Sequence, residues 1–262
     1  MSRNVTYGIH AVRFLLSRHP QRVRRLLLAA TRDDRRLGEL RALAEHAGIA
    51  ISTADEAQLG ELAAGGRHQG AVAETVATAG DPETELETAI EAGGVAPLLL
   101  ALDGVQDPHN LGACLRSADA AGVKAVIAPR DRSASLTAVA RKVAAGAAEA
   151  VPFIAVVNLA RVLRSLSERG FRVIGAEGSA QTNLYQADLG GPLVVVLGSE
   201  GGGLRRLTRE CCDELVAIPM AGAVESLNVS VATGVMLFEA VRQRKWGHSP
   251  FRSPPAGVLS PK

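Results

Sequence analysis

The stretch from Asp103 to Gly122, DGVQDPHNLGACLRSADAAG, contains two residues suited to chemistry, Asn110 and Arg116. An amide and a guanidinium can orient a substrate or stabilise negative charge through hydrogen bonds. We expect a turn at Pro108 and a helix that opens near Asn110. Six positions separate Asn110 from Arg116, about 120° on an ideal helix, so joint action would require Asn110 to act from the loop. The structural alternative makes Asn110 an N-cap and pairs Arg116 with Asp119.

A second candidate site is the loop in LVVVLGSEGGGL, Leu193 to Leu204, where glycines surround the single acid Glu200. Glycines let a ligand approach bare backbone, and α/β proteins bind ligands at the carboxyl ends of buried strands. The spacing fits neither the dinucleotide fingerprint nor the phosphate loop ending in Gly-Lys-Ser/Thr. A tight turn between a strand and a helix is the alternative, but the embedded acid favours a binding site.

The third candidate is the segment from Val216 to Lys245, VAIPMAGAVESLNVSVATGVMLFEAVRQRK. We expect a strand, a loop as far as Leu227, and then a long helix with an apolar stripe. Ser226 and Asn228 lie at the helix entrance, where capping is the simplest explanation. With Ser230 they are more polar groups than one cap requires. The sequence contains no cluster with metal-ligand spacing and no serine-hydrolase elbow.

The elements that must position these residues begin with a small α/β unit over residues 1–75. Its helices are predicted over Ala11 to Ser17, Leu37 to Ala47 and Ala54 to Leu62, and its strands over Val23 to Leu28, Ala50 to Ser52 and Gly70 to Ala73. Residues 76–96 are acidic and flanked by glycine, which indicates a linker with a short helix.

Residues 97–247 alternate apolar runs with helical patterns, which predicts a parallel sheet whose strands are buried on both faces. These strands are predicted over Leu98 to Leu102, Lys124 to Ala128, Arg172 to Ala176, Leu193 to Leu197 and Glu214 to Ile218. Residues 248–262 are rich in proline with little to bury, so we expect a disordered tail.

Composition limits the class of protein. In 262 residues, 47% are apolar and 3% aromatic, which favours an α/β interior built from aliphatic side chains. No run is long enough to span a membrane and the opening MSRNVTYGIH lacks a signal-peptide core, so we expect a cytoplasmic protein. Cys114, Cys211 and Cys212 have no paired spacing, and we expect them to be reduced and mostly buried.

Basic residues cluster early, although the net charge is only +2. The arginines of this cluster are Arg3, Arg13, Arg18, Arg22, Arg24, Arg25, Arg32, Arg35, Arg36 and Arg41. Such an asymmetry suits contact with a phosphate backbone, in particular through Arg22, Arg24 and Arg25. A solvated helical face is the alternative, and charge alone does not decide between the two.

The three motifs, in this order, resemble those of the SpoU (TrmH-type) branch of the SPOUT methyltransferases. The segments that carry the resemblance are NLGACLRSADAAG, LGSEGGGL and IPMAGAVESLNVSVATG. From Asp103 to Arg244 the chain is most similar to bacterial 23S rRNA guanosine 2'-O-methyltransferases, including DPHNLG, KVAAGAAE and LTRECCDEL. YGIHAV and HQGAVA are similar to the substrate-binding domain of that family.

The resemblance implies a parallel-sheet SPOUT domain with a C-terminal trefoil knot, a homodimer, and an amino-terminal domain similar to ribosomal protein L30e that docks RNA. It also implies S-adenosylmethionine as methyl donor, bound near Gly198, Ile218, Met220 and Leu227, with 23S ribosomal RNA as substrate and no metal. The polar residues of the family fall on Asn110, Arg116, Glu200, Ser226 and Asn228. Gly202 takes the variable place in the glycine loop.

By the same resemblance Arg116 would be the general base, but a guanidinium is a poor proton acceptor near neutrality. We expect it instead to stabilise alkoxide character or to position an RNA phosphate. Ser226 and Asn110 would orient the ribose or Arg116, Asn228 would fix its loop, and Glu200 would hold Arg116 or face the sulfonium. Alternatives are a transfer RNA methyltransferase and a non-catalytic RNA-binding protein; a Rossmann methyltransferase lacks support, since no early glycine-rich turn precedes an acidic strand end.

Overall fold

The protein has a mixed α/β fold with two sheets, as the sequence predicts. The structure, a computed structural model, describes residues 5–30, 35–63, 65–75 and 81–247. A small amino-terminal domain surrounds a four-stranded sheet, and a larger domain surrounds a seven-stranded sheet. The tail 248–262 and residues 76–80 of the predicted linker lie outside the described residues.

The amino-terminal domain has the strand order β1-β4-β2-β3. Its strands are β1 Val5–Tyr7, β2 Val23–Ala29, β3 Ala50–Ala54 and β4 Ala71–Thr75, and its helices are α1 Ile9–Arg18, α2 Arg35–His46 and α3 Glu56–Leu62. β2 and β3 are parallel, whereas β4 runs antiparallel to β1 and β2. Leu15, Leu26 and Leu40 are fully buried between the sheet and the first two helices.

The larger domain has the order β7-β6-β5-β10-β8-β11-β9, and every neighbouring pair in its sheet is parallel. The strands are β5 Leu98–Asp103, β6 Ala125–Pro129, β7 Phe153–Val156, β8 Arg172–Ala176, β9 Thr182–Asn183, β10 Leu193–Gly198 and β11 Glu214–Ala217. The helices are α4 Pro82–Glu91, α5 Pro108–Ala120, α6 Ala138–Ala144, α7 Ala147–Ala150, α8 Leu159–Glu168, α9 Arg206–Arg209 and α10 Val229–Trp246.

Apolar layers cover both faces of this sheet. Along β5, Leu98, Leu100 and Leu102 join the cluster packed against α5, α6 and α10, whereas Leu99 and Ala101 join the cluster on the α4 and α8 side. Because successive strand residues point to opposite faces, burial on both sides produces the continuous apolar runs seen in the sequence.

Two predicted helix starts are corrected by the structure. α5 begins at Pro108, because Asp107 caps it by accepting a hydrogen bond from the His109 backbone; Asn110 therefore lies within the first turn and is neither in the loop nor the N-cap. α3 begins at Glu56 after the capping box of Asp55. Ala54 consequently belongs to β3.

Two arginines of the early basic cluster form ion pairs with glutamates of the same chain. Arg25 donates to Glu74 over 3.0 Å, and a nitrogen of Arg22 lies 3.7 Å from the carboxylate of Glu149. Both arginines thus form ion pairs within the fold, and their contact with a phosphate backbone stays a prediction. Arg24 is exposed on the same strand as Arg25.

Among the described residues, no helix combines the length and apolar character needed to cross a membrane. The L30e likeness and the trefoil knot stay predictions.

Candidate functional site

A cavity of about 930 Å³ opens at the carboxyl ends of β8, β10 and β11. It is lined by the loops that follow these three strands and by the start of α10. Parallel α/β sheets bind ligands at this edge. Of the residues predicted from the sequence, the lining includes Gly198, Ile218, Met220, Leu227, Glu200, Ser226 and Asn228.

The glycine loop after β10 folds back on itself, because Ser199 and Gly203 exchange backbone hydrogen bonds of 3.1 and 3.0 Å. A Cβ atom at Gly198 would lie 2.1 Å from the backbone carbon of Gly203, so only glycine allows this close approach. Gly201 and Gly203 have positive φ angles of 77° and 61°, which favour glycine. The loop therefore presents bare backbone to the cavity.

A buried acid that sequence reasoning missed anchors this loop. Asp103, at the end of β5, has a fully buried side chain. It accepts a 2.8 Å hydrogen bond from the backbone N–H of Arg205 and a 2.6 Å bond from the Nε of Arg205. The end of the glycine loop is thereby tied to the neighbouring strand. An acid at the end of a fully apolar run was the signal in the sequence that could have identified it.

Asn110, Glu200 and Asn228 form a hydrogen-bonded triangle at the rim of the cavity. Both amides donate to the Oε1 of Glu200, from Asn110 over 2.9 Å and from Asn228 over 2.6 Å. The amide of Asn228 also donates to the Oδ1 of Asn110 over 3.0 Å. Three segments distant in sequence are thus joined. Within one chain Glu200 holds two asparagines and not Arg116.

Asn228 also caps α10, because its Oδ1 accepts hydrogen bonds from the backbone and the hydroxyl of Ser230. The capping explanation is therefore correct, and it accounts for Ser230 as well. The Nδ2 of the same Asn228 side chain donates to Glu200. Ser226 is exposed and lines the cavity beside Leu227.

Arg116 is not brought to this cavity within one chain. It is exposed and lines a separate hollow of about 350 Å³ with Ala113, Val143 and Phe238. Its position follows from helical geometry, since six residues from Asn110 lead to a different side of α5. The single chain therefore assembles four of the five predicted polar residues and leaves the arginine outside.

A smaller hollow of about 280 Å³ adjoins the main cavity. Gly104, Gln106 and Asn110 line it, and it shares Ser199, Glu200 and Val229 with the main cavity. Two ligands seated in the two spaces would meet at this shared wall, as a transfer between them requires.

The charge of the main cavity is negative. Its lining contains Glu177, Glu200 and Glu225 and, among the described residues, no lysine, arginine or histidine. The guanidinium of Arg209 donates two hydrogen bonds to Glu177 and lowers the pKa of that carboxyl below its ordinary value. Arg209 thus offsets one of the three charges. The hydrogen bonds that Glu200 accepts come from neutral amides, which add no positive charge to the lining, so the cavity favours a cation.

Family models match both parts of the chain. The model described as the SpoU rRNA Methylase family matches residues 97–238. The chain belongs to the SpoU rRNA methylase family. A second model, described as RNA 2'-O ribose methyltransferase substrate binding, matches residues 5–78.

Two relatives of this SpoU methylase carry the name 23S rRNA (guanosine-2'-O-)-methyltransferase RlmB. The protein of Yersinia pestis is 57% identical over 92% of this chain and 97% of its own length. The protein of Pseudomonas aeruginosa is 57% identical over 91% and 96%. Among solved structures, the SpoU methyltransferase AviRb from Streptomyces viridochromogenes, in complex with AdoMet, has a TM-score of 0.80 at 24% identity, over 94% of this chain and 92% of its own, which shows the fold.

The three cysteines of the SpoU methylase are free thiols; Cys114 and Cys211 are buried and Cys212 is half-buried. Burial raises the pKa of Cys114 to about 11 and that of Cys212 to about 12. Within the part of the chain that the structure describes, no cluster of His, Cys, Asp and Glu side chains is placed to hold a metal ion.

Proposed function

We propose that the protein transfers a methyl group from S-adenosylmethionine to the ribose 2'-hydroxyl of a guanosine in 23S ribosomal RNA, in the cytoplasm. The observation that carries this proposal is 57% identity over more than nine-tenths of the chain to proteins named for that reaction. The cavity at the carboxyl ends of the strands supports the proposal, because parallel α/β sheets bind ligands at this edge.

The residues of the main cavity fit S-adenosylmethionine. This cofactor supplies an electrophilic methyl group on a positively charged sulfonium sulfur. Glu200 and Glu225 complement that charge, and the bare backbone at Gly198 and the apolar Ile218 and Leu227 suit an adenine ring. Met220 completes this apolar wall, so we assign Gly198, Ile218, Met220 and Leu227 to cofactor binding.

The acceptor ribose fits the smaller hollow, next to the triangle of Asn110, Glu200 and Asn228. Four hydrogen bonds use the whole capacity of the Asn228 amide, whereas Asn110, held by Glu200 and Asn228, keeps one donor and one acceptor position that are oriented before RNA arrives. We assign Asn110 and Ser226 to orienting the ribose and Asn228 to holding the loop at the start of α10. Such positioning supplies several kcal/mol of a transfer barrier, about 7–11 at most.

The site is completed by a second copy of the chain. Val231 and Phe238 are each 50% exposed on α10, and exposed apolar side chains of this size on a single helix indicate an interface. Arg116 borders the same face through the hollow that it shares with Phe238. We therefore propose a homodimer in which Arg116 of the partner subunit stabilises negative charge on the attacking oxygen.

The experiment that tests this function is methyl transfer from labelled S-adenosylmethionine to protein-free 23S RNA, 16S RNA and bulk transfer RNA. Mass spectrometry identifies the modified nucleoside. We expect 2'-O-methylguanosine in 23S RNA with the wild type, and formation at least about a hundredfold slower with Arg116→Ala. The matched control, Glu210→Gln, removes an exposed ion pair with Arg206 and should methylate normally.

Other outcomes would overturn parts of the proposal. Label found only in transfer RNA would make transfer RNA the substrate, with the reaction as proposed. Absence of label from all three RNAs, and also from precursor ribosomal particles, would support a non-catalytic RNA-binding protein.

A further inference from the structure

The two domains meet around one buried carboxylate. Glu149 lies on α7 of the larger domain and is only 3% exposed. It faces the amino-terminal domain and takes no part in the cavity described above. A buried carboxylate is costly unless hydrogen bonds and opposite charges surround it.

The partners of Glu149 come from both domains. Thr6 of β1, which is fully buried, donates a 2.9 Å hydrogen bond to its Oε1, and Arg22 of the same domain lies 3.7 Å from its Oε2. Arg141 of α6, in the larger domain, donates to the same Oε1 as Thr6. Two of the three groups that stabilise this charge therefore belong to the other domain.

Neighbouring contacts extend the same interface. The hydroxyl of Tyr7 donates to the backbone carbonyl of Ala138 over 3.1 Å. The Phe14 side chain lies 3.5 Å from where a Cβ atom would stand at Gly146. Arg22 also faces the α4 helix, where its charge lowers the pKa of Glu85 while burial, the larger effect, raises it. The contact thus includes polar, apolar and charged groups around Glu149.

The interface leads directly to the helix that carries the functional residues. α6 and α7 pack against α5. A Cβ atom at Gly112 of α5 would lie 2.6 Å from the backbone oxygen of Ala140, so α5 and α6 are in close backbone contact. Asn110 and Arg116 are on this same helix. We call α6 and α7 the α5 support, because both helices pack against α5. A change in how the amino-terminal domain docks on these two helices can therefore shift α5.

We propose that Glu149 is a positioning residue, which fixes the amino-terminal domain against the α5 support so that RNA bound to that domain enters the site in register. The role of Glu149 in RNA entry rests on the proposed function, whereas its role in docking does not. If the domain departed, Glu149 would keep Arg141 and lose Thr6 and Arg22. Charge at Glu149 thus decides whether the docked arrangement is favoured.

The test of docking compares Glu149→Gln with the wild type by small-angle X-ray scattering in the absence of RNA. Gln keeps the size of the side chain and removes its charge. We expect a larger radius of gyration and a larger maximum dimension for this variant. The matched control is Glu214→Gln, which removes a 2.7 Å ion pair with Arg172 inside the larger domain and should scatter like the wild type.

Thr6→Val provides a second variant, because it removes only the hydroxyl that donates to Glu149 and keeps the shape of the side chain. It should also increase the radius of gyration and the maximum dimension. Circular dichroism checks that both variants are folded. If both folded variants scatter like the wild type, the proposal is overturned.

Kinetics separate positioning from general loss of structure. For Glu149→Gln we expect the KM for 23S RNA to rise about tenfold or more, with the Kd of S-adenosylmethionine changed less than about twofold. An unchanged KM in a particle that has expanded would overturn the link to RNA and keep the docking. If the wild type methylates no RNA, the proposed function fails, and the scattering result still decides the docking.

Discussion

Asn110 and Arg116 lie on different sides of helix α5: Asn110 donates to Glu200 over 2.9 Å, whereas Arg116 lines the hollow beside Phe238. One chain therefore separates the residue that we propose orients the acceptor from the residue that we propose stabilises its charge. The proposed dimer across the α10 face would reunite them.

Substitution of Arg116 should reduce kcat and leave cofactor binding intact. We expect Arg116→Ala to lower the single-turnover rate about 10²- to 10³-fold, because one donor to developing negative charge is lost. Arg116→Lys should also be impaired, since an ammonium does not reproduce the planar fork. Calorimetry should give an unchanged Kd for S-adenosylmethionine. A variant that weakens only that Kd would contradict the assigned role.

Mixed dimers test whether the arginine acts across the interface. Arg116→Ala and Glu200→Ala homodimers should both be nearly inactive. Co-refolded together, half of the dimers are mixed, and each mixed dimer has one intact site, so about a quarter of the wild-type rate should return. If each site used the Arg116 of its own chain, no rate would return on mixing.

The glycine loop should tolerate a methyl group at Gly202 and reject one at Gly198. At Gly198 the added carbon meets the backbone of Gly203 at 2.1 Å, so the loop must shift, and we expect stability to fall by about 1–3 kcal/mol. At Gly202 it meets only the Ser199 hydroxyl at 2.8 Å, which can rotate away. Cofactor binding should weaken at least about tenfold for Gly198→Ala and little for Gly202→Ala. Equal affinities of the two variants for S-adenosylmethionine would refute this explanation of the loop.

The fold was predictable where burial leaves a strong pattern. β5 and β10 are buried on both faces, so the continuous apolar runs Leu98 to Leu102 and Leu193 to Leu197 predict them. β1 and β9 have three and two residues, which is too short for a periodic pattern. Their extended conformation depends on pairing with β4 and β11. The sequence pattern put Asn110 in the loop or at the N-cap. The N-cap is Asp107, three residues earlier, so Asn110 lies inside the helix.

The sequence motifs pointed to residues that the structure largely brings together, but they did not predict how those residues are arranged. Glu200 and Asn228 meet because the loops after β10 and β11 converge at one edge of the sheet, and neither loop has a periodic pattern. The separation of Arg116 follows from its angle around α5. Asp103 was overlooked because its place at the end of an apolar run looked like a strand boundary, although its charge is buried.

Asp103 should stabilise the protein through the end of the glycine loop. Asp103→Asn keeps an oxygen for the backbone N–H of Arg205 and removes the charge opposite its guanidinium. We expect the free energy of unfolding in urea to fall by about 2 kcal/mol and S-adenosylmethionine to bind more weakly. Glu210→Gln, which breaks only the exposed pair with Arg206, should stay within about 0.5 kcal/mol of wild type. Equal stability of the two variants would rule out a clamp at Asp103.

The buried thiols should make stability fall in alkaline solution. Burial raises the pKa of Cys114 from 9.0 to about 11 and that of Cys212 from 9.0 to about 12. Above pH 9 the unfolded chain therefore releases these protons while the folded chain retains them, so unfolding becomes easier as pH rises; below pH 9 both states keep the protons and the effect vanishes.

The measurement is urea unfolding at pH 8 and pH 10 for the wild type and for the double variant Cys114→Ala, Cys212→Ala. Other groups titrate in both proteins, so the difference between them isolates the thiols. We expect the wild type to lose up to about 1.4 kcal/mol more per thiol for each pH unit above 9. Parallel losses in the two proteins would mean that these thiols ionise alike in the folded and unfolded chains.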